Sequence, residues 1–200
     1  MIDYLNTLDT NFFLLINGWH NSFFDGFMVF VSAKLSWLPL YAFLLYLIIR
    51  KYKWKSLLVL GFIGLLILAS DQLSVHAFKN TFQRLRPCHN EDLQLLINNV
   101  SGCGGQYGFV SSHATNSFAL VMFISLLFKK NYQYLPYFLI FWGLLIAYSR
   151  VYLGVHYPGD VFGGALLGAV IGWGIFYVFQ KAEQKIYSKN KKANPHLPQQ

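Results

Sequence analysis

Charge is what this 200-residue sequence has least of. Asp, Glu, Lys and Arg make up 12% of it, where a typical soluble domain carries roughly a quarter. Acidic residues are the scarcer kind, eight against sixteen Lys and Arg, and no carboxylates cluster in a way suited to magnesium. No internal repeat or low-complexity tract is present. The first ten residues, MIDYLNTLDT, lack the basic segment and small-residue cleavage site of a signal peptide, so the spans themselves are expected to direct insertion. What the chain has in quantity is apolar surface, with 55% hydrophobic and 18% aromatic residues. That balance excludes an ordinary soluble domain and points to a polytopic membrane protein.

The net charge of +8 raises the question of nucleic acid, but the distribution answers it. Eleven of the sixteen Lys and Arg fall in three clusters: Arg50, Lys51, Lys53 and Lys55; Lys129 and Lys130; and Lys181, Lys185, Lys189, Lys191 and Lys192. Each cluster ends or separates apolar runs, which is the positive-inside pattern of cytoplasmic segments. A nucleic-acid reader would carry a basic stripe on a soluble fold, so no nucleic-acid partner is expected.

Five apolar runs read as membrane spans: 35–49, 56–70, 114–128, 131–149 and 161–180. The first three hold only 15 residues each, short of the roughly 20 that cross the hydrocarbon core. Flanking Lys and Arg that snorkel, and helices that continue past them, make up the difference. With the basic clusters inside, residues 71–113 and 150–160 lie outside and the C-terminus is cytoplasmic. The expected fold is an all-α helical bundle of five to six spans with its site at the outer face. Residues 1–34 are aromatic but interrupted by Asn17, Gly18, His20, Asn21 and Asp25. They read as an interfacial helix pair, with a sixth span as the alternative. Residues 35–180 form the membrane domain, and 181–200 a basic, disordered tail.

Five cations are left on the outer side: Lys34, Lys79, Arg84, Arg86 and Arg150. Three of them fall in patterned stretches. In DQLSVHAFKNTFQRLRP (71–87), Gln72, His76, Lys79, Gln83 and Arg86 recur at helical spacing and would share one helix face, with Pro87 as the stop. Two cations on one face suit an anion. Arg84 falls off that face and reads as an ordinary solvated cation. In GFVSSHATNSF (108–118), Ser111 or Ser112 caps a helix whose positive end accepts phosphate, with His113 in its first turn. In SRVYLGVHYPGD (149–160), Asp160 stands four residues after His156 and can hold one ring nitrogen, leaving the other nucleophilic. Arg150 brings a planar fork of donors for phosphate oxygens, and Pro158 opens the following helix. Two histidines, three cations and a helix N-terminus on one membrane face supply a nucleophile, an acid and anion clamps, as phosphoryl chemistry requires.

These stretches resemble the three signatures of the type 2 phosphatidic acid phosphatase family, relatives of the vanadium haloperoxidases. Lys79 to Pro87 reads K-x6-R-P, and Ser149 to Asp160 reads S-R-x5-H-x3-D. Ser111 to His113 stands where the family has P-S-G-H, with Val110 in place of the proline and Ser112 in place of the glycine. The resemblance covers roughly residues 35–180. It implies that His156 attacks phosphorus to form a phosphohistidine and that Asp160 orients it. His113 would protonate the leaving group and then activate water. Lys79, Arg86, Arg150, Ser111 and the substituted Ser112 would hold the phosphate. No metal and no other cofactor is implied. The partners implied are a lipid phosphate or diphosphate and the surrounding membrane lipids, with the site facing the periplasm or cell exterior of a bacterial cytoplasmic membrane. Undecaprenyl diphosphate, phosphatidylglycerol phosphate, lipid A phosphate and phosphatidic acid are all candidates, because the motifs read phosphate alone.

Cys88 and Cys103 share an outer loop, and an oxidising compartment favours a disulfide between them over a zinc site with His89 or two free thiols. Gly164, Gly168 and Gly172 form a small-residue stripe for close helix packing. Asp71, near the outer end of its span, is expected to partner a basic or amide group.

Overall fold

A computed structural model describes residues 2–193, with side chains described for 3–186. The chain is a polytopic membrane bundle of helices: α1 (Ile2–Gly18), α2 (Ser22–Ser32), α3 (Leu38–Tyr52), α4 (Ser56–Gln72), a single turn α5 (Asn80–Phe82), α6 (Ser112–Phe128), α7 (Leu135–Tyr152) and α8 (Pro158–Ala193). Three helical stretches among the described residues are long and apolar enough to cross a membrane: Lys34–Phe82, Leu135–Tyr152 and Pro158–Ile186. The first contains two spans, because the chain reverses at Lys53, which adopts φ 50° and ψ −127° at the end of α3. Two shorter apolar helices are Ser22–Ser32 and Ser112–Phe128.

α6 lies at the centre of the bundle, which explains why its sequence has no polar face. Ala114, Ala119, Phe123, Ile124 and Phe128 are all fully buried, and a helix covered on every side carries apolar residues all round. α8 crosses it at close range along the glycine stripe. A Cβ added at Gly168 would lie 2.2 Å from the Thr115 carbonyl oxygen, and one at Gly172 would lie 2.5 Å from that of Ala119. Backbone cannot yield as a side chain can. Gly168→Ala is therefore expected to destabilise the bundle by about 1–3 kcal/mol, the usual range for overpacking, read as a lower unfolding temperature in detergent. Phe123, Phe176 and Phe179 pack mutually with ring centroids 5.9–6.2 Å apart, and Phe62 reaches Phe179 from α4 at 5.5 Å.

At the basic end, Lys51 donates to the Leu127 carbonyl at 2.6 Å, satisfying one of the open carbonyls at the end of α6. α8 does not stop at Gln180. It continues as helix to Ala193, through most of the tail expected to be disordered; residues 194–200 lie outside the described residues. Extending an existing helix avoids the cost of nucleation, and Lys, Ala, Glu and Gln in KAEQK are good helix formers.

α1 and α2 pack at the opposite end, over the end of α7 and the start of α8. Asn17 is 1% exposed. It donates to the Tyr152 and Asn98 carbonyls at 2.7 and 2.9 Å and accepts from Asn98 N–H at 2.8 Å. One amide thereby joins α1, α7 and the long loop. Asp25 of α2 accepts from the Tyr152 hydroxyl at 2.9 Å and from Asn98 at 3.1 Å.

Residues 71–87 depart from the single helix expected of them. α4 runs into a π-helical segment, Leu73–Lys79, and the helix ends after Phe82 because Gln83 adopts a left-handed conformation, φ 48° and ψ 29°. Pro87 is not what stops it. Lys79 and Arg86 therefore do not share a helix face. Arg86 sits instead on an extended segment paired with the loop, where Leu85 bridges Tyr107 and Arg86 N–H bonds the Gln106 carbonyl at 3.1 Å.

Candidate active site

The turn between α7 and α8 carries the dyad. Arg150 lies within the last turn of α7 rather than beyond it. The chain then reverses at Gly154, φ 77°, where an added Cβ would lie 3.0 Å from the Asn98 carbonyl, so both backbone angle and space call for glycine. His156 and Asp160 are 1% and 0% exposed. His156 Nδ1 faces Asp160 Oδ2 at 3.4 Å, and the same oxygen accepts from Tyr157 N–H at 3.0 Å. With Nδ1 turned to the carboxylate, Nε2 is the nitrogen available for chemistry. Burial, together with the charges of Arg86, Arg150 and Lys79, holds the His156 pKa well below its ordinary value. The imidazole is therefore neutral at physiological pH, the form that can attack.

The start of α6 supplies the second set. Ser111 is the N-cap, and its N–H donates to the Asp160 carbonyl at 2.9 Å, tying the beginning of α6 to the beginning of α8. Its hydroxyl is buried with no protein partner and lines neither cavity described below. The seryl group that faces the site is Ser112, the position where the resembled family has glycine. Ser112 Oγ accepts from Lys79 Nζ at 2.8 Å and shares a hydrogen bond with Ser74 Oγ at 2.7 Å. It thus holds a cation in place and can offer a hydroxyl to an anion.

Lys79, Arg86, Arg150, Ser112, His113 and His156 all line one cleft of about 360 Å³. Arg86 is aimed by the loop: its Nε and Nη1 donate to the carbonyls of Tyr107 and Cys103, both at 3.3 Å. Arg150 donates to the Ser32 hydroxyl of α2. Cys88 and Cys103 are joined as a disulfide, which fixes the stretch Gly102–Gly104 along the cleft wall. The cleft shares Ser32, Lys79, Arg86, Ser112 and His113 with a larger cavity of about 520 Å³. That cavity runs between α3, α4, α6 and α7 and is walled by Trp37, Tyr41, Ile48, Ile63, Leu120 and Ile124, with Lys34 and Asp71 also on its lining. Among the described residues no group of three His, Cys, Asp or Glu is placed to hold a metal ion.

Two contributors were not singled out by the sequence motifs. Arg84 is not a solvated cation. It donates to Asp160 Oδ1 at 2.8 Å and to Asp9 Oδ2 at 2.7 Å, with its guanidinium 4.2 Å from the centre of the Tyr157 ring. Asp9, from α1, also accepts from Gly159 N–H at 2.7 Å. Their partners lie 75 to 150 positions away in sequence, so no local spacing announces them. Gly108 belongs to the same constellation, since a Cβ there would meet Asp160 Oδ2 at 2.8 Å.

The PAP2 superfamily model matches residues 60–184. A lipid A 4'-phosphatase of Bacteroides thetaiotaomicron is 37% identical over 193 residues, covering 94% of this chain and 84% of that protein. A lipid A 4'-phosphatase of Porphyromonas gingivalis is 34% identical, covering 97% and 82%. The crystal structure of Aquifex aeolicus LpxE superimposes with a TM-score of 0.64 at 27% identity, over 85% of this chain and 95% of that one.

Proposed function

This chain belongs to the PAP2 superfamily and is a membrane-embedded phosphatase, and we propose that it removes a phosphate from a lipid A-type glycolipid at the outer face of a bacterial cytoplasmic membrane. The observation that carries the reading is the adjacency of two cavities with a shared wall. Three cations, two histidines and three serines line a polar cleft that shares Ser32, Lys79, Arg86, Ser112 and His113 with an apolar channel between helices. A phosphate headgroup fits the first and hydrocarbon chains the second, so the substrate is amphiphilic and enters from the bilayer. The two relatives named as lipid A 4'-phosphatases match nearly the whole chain, N-terminal helices included, which favours lipid A over the other lipid phosphates.

In the proposed reaction Lys79, Arg86 and Arg150 bind the phosphate oxygens, with Ser112 as an additional donor. His156 Nε2 attacks phosphorus while its Nδ1–H is held by Asp160. The bond to the sugar oxygen breaks, and His113 gives that oxygen its proton. His113, now a base, takes a proton from water, which attacks the phosphohistidine. Inorganic phosphate leaves and His156 is regenerated. The C-terminus lies on the cytoplasmic side, with the Lys-rich end of the bundle.

The test is phosphate release by purified protein in detergent, with EDTA present, from lipid A, phosphatidic acid, phosphatidylglycerol phosphate and undecaprenyl diphosphate. Release from lipid A at a kcat/KM at least about ten times that for the others is expected, a difference worth about 1.4 kcal/mol. Preference for an isoprenoid diphosphate would overturn the substrate assignment, and release from none would overturn the reading as a whole.

A further inference from the structure

The motifs assign Asp160 to His156, but they leave open what holds Asp160. It is a fully buried carboxylate, 0% exposed, next to an imidazole kept neutral by its surroundings. A neutral imidazole cannot compensate a buried negative charge, and an uncompensated one would take up a proton instead. The compensation comes from Arg84, whose Nη1 lies 2.8 Å from Asp160 Oδ1, the oxygen turned away from His156. Arg84 is in turn held from behind by Asp9, at 2.7 Å from its other terminal nitrogen. Asp9 also fixes the backbone of Gly159, through an N–H bond of 2.7 Å. Arg84 lies against the face of Tyr157, 4.2 Å from the ring centre. The four side chains form an unbroken line: Asp9, Arg84, Asp160, His156.

We propose that Asp9 and Arg84 are positioning residues for the catalytic dyad, through an ion-pair relay that keeps Asp160 ionised and its Oδ2 aimed at His156 Nδ1. The proposal rests on the phosphatase reading above and adds to it two residues outside the three motifs. One of them is on α1, so the N-terminal helix becomes part of the active-site machinery rather than only a cover for it. The relay works on the dyad alone. Neither Asp9 nor Arg84 lines the phosphate cleft or the apolar channel, so neither is placed to touch substrate.

That separation sets the test. Arg84→Met leaves Asp160 without its cation. The carboxylate then either takes a proton or swings away, and in both cases His156 loses the charged one of its two acceptors, the Gly108 backbone being the other. By analogy with other groups that orient a catalytic histidine from behind, kcat is expected to fall about 10- to 100-fold, with KM within about twofold of wild type. Arg84→Lys, which retains the charge but lacks the planar fork that spans both carboxylates, is expected to recover part of that loss. Asp9→Asn, which keeps an acceptor for Gly159 N–H while removing the charge behind Arg84, is expected to lower kcat about three- to tenfold. The double variant Asp9→Asn/Arg84→Met should be no slower than Arg84→Met alone, since Asp9 acts through Arg84.

A readout independent of turnover keeps the relay distinguishable from the phosphatase reading. In 15N-histidine NMR of detergent-solubilised protein, His156 should appear as the Nδ1–H tautomer in wild type and as a mixture in Arg84→Met, whether or not any lipid is hydrolysed. An unchanged tautomer in a folded Arg84→Met protein would overturn the proposal. So would a kcat within twofold of wild type, a loss confined to KM, or additive losses in the double variant.

Discussion

His156→Ala is expected to abolish phosphate release from every lipid, lowering kcat by about 10⁴-fold or more, as loss of a catalytic nucleophile does. His156 is buried at the junction of α7 and α8, with one nitrogen committed to Asp160 at 3.4 Å and its ring on the wall of the cleft that holds Lys79, Arg86 and Arg150. Burial first, and then those cations, lower its proton affinity, and the cations would also bind the phosphate it attacks. The same charges therefore keep the imidazole deprotonated and make the phosphate electrophilic. The substitution removes the attacking atom and leaves the cations, so lipid phosphate should still bind with affinity similar to that for wild type. A purely structural His156 would give the opposite result, with binding and stability falling together and residual turnover tracking the folded fraction. Phosphate release and unfolding temperature, measured on one preparation, separate the two.

His113→Ala is the second large effect, and its signature is a divided one. His113 opens α6 beside Ser112 and lines both the cleft and the head of the apolar channel, where the leaving oxygen of a lipid would emerge. Removing a general acid typically costs about 10²- to 10⁴-fold. The full loss is expected for a sugar or alkyl phosphate, whose leaving oxygen needs a proton. An aryl phosphate leaves without one, so the first step should survive in the variant while hydrolysis of the phosphoenzyme stays slow. Aryl phosphate should then give a burst of phenol stoichiometric with protein, followed by little further release. Equal slowing for both substrate types, with no burst, would remove His113 from the acid–base role.

Most of the site is legible in the sequence because its chemistry sits in short, ordered stretches. His156 and Asp160 are one helical turn apart, and Ser112 and His113 mark a helix start. What could not be read is how the chain ends its helices. Nothing in QLSVHAFKNTFQ announces a π segment followed by a left-handed Gln83, so a continuous helix was expected, and on that helix Arg84 faced away from Arg86. In the fold the segment is extended, and Arg84 reaches Asp160 and Asp9 instead. Asp9 was beyond reach for a different reason. Its partners come from tertiary packing across 75 and 150 residues, and a lone Asp in an amphipathic helix looks like any solvated residue. The same limit applies to Ser111 and Ser112. Both read as phosphate donors in sequence, yet the backbone of Ser111 is turned to Asp160 and only Ser112 lines the cleft.

The central claim, that His156 carries the phosphoryl group, is tested most directly by trapping it. Protein mixed with radiolabelled lipid phosphate, quenched within milliseconds in alkali and digested, should yield an alkali-stable, acid-labile label on the peptide containing His156. The label should be absent from His156→Ala and increased in His113→Ala turning over an aryl phosphate. A label on the peptide containing His113, or turnover with no labelled peptide at any quench time, would contradict the account.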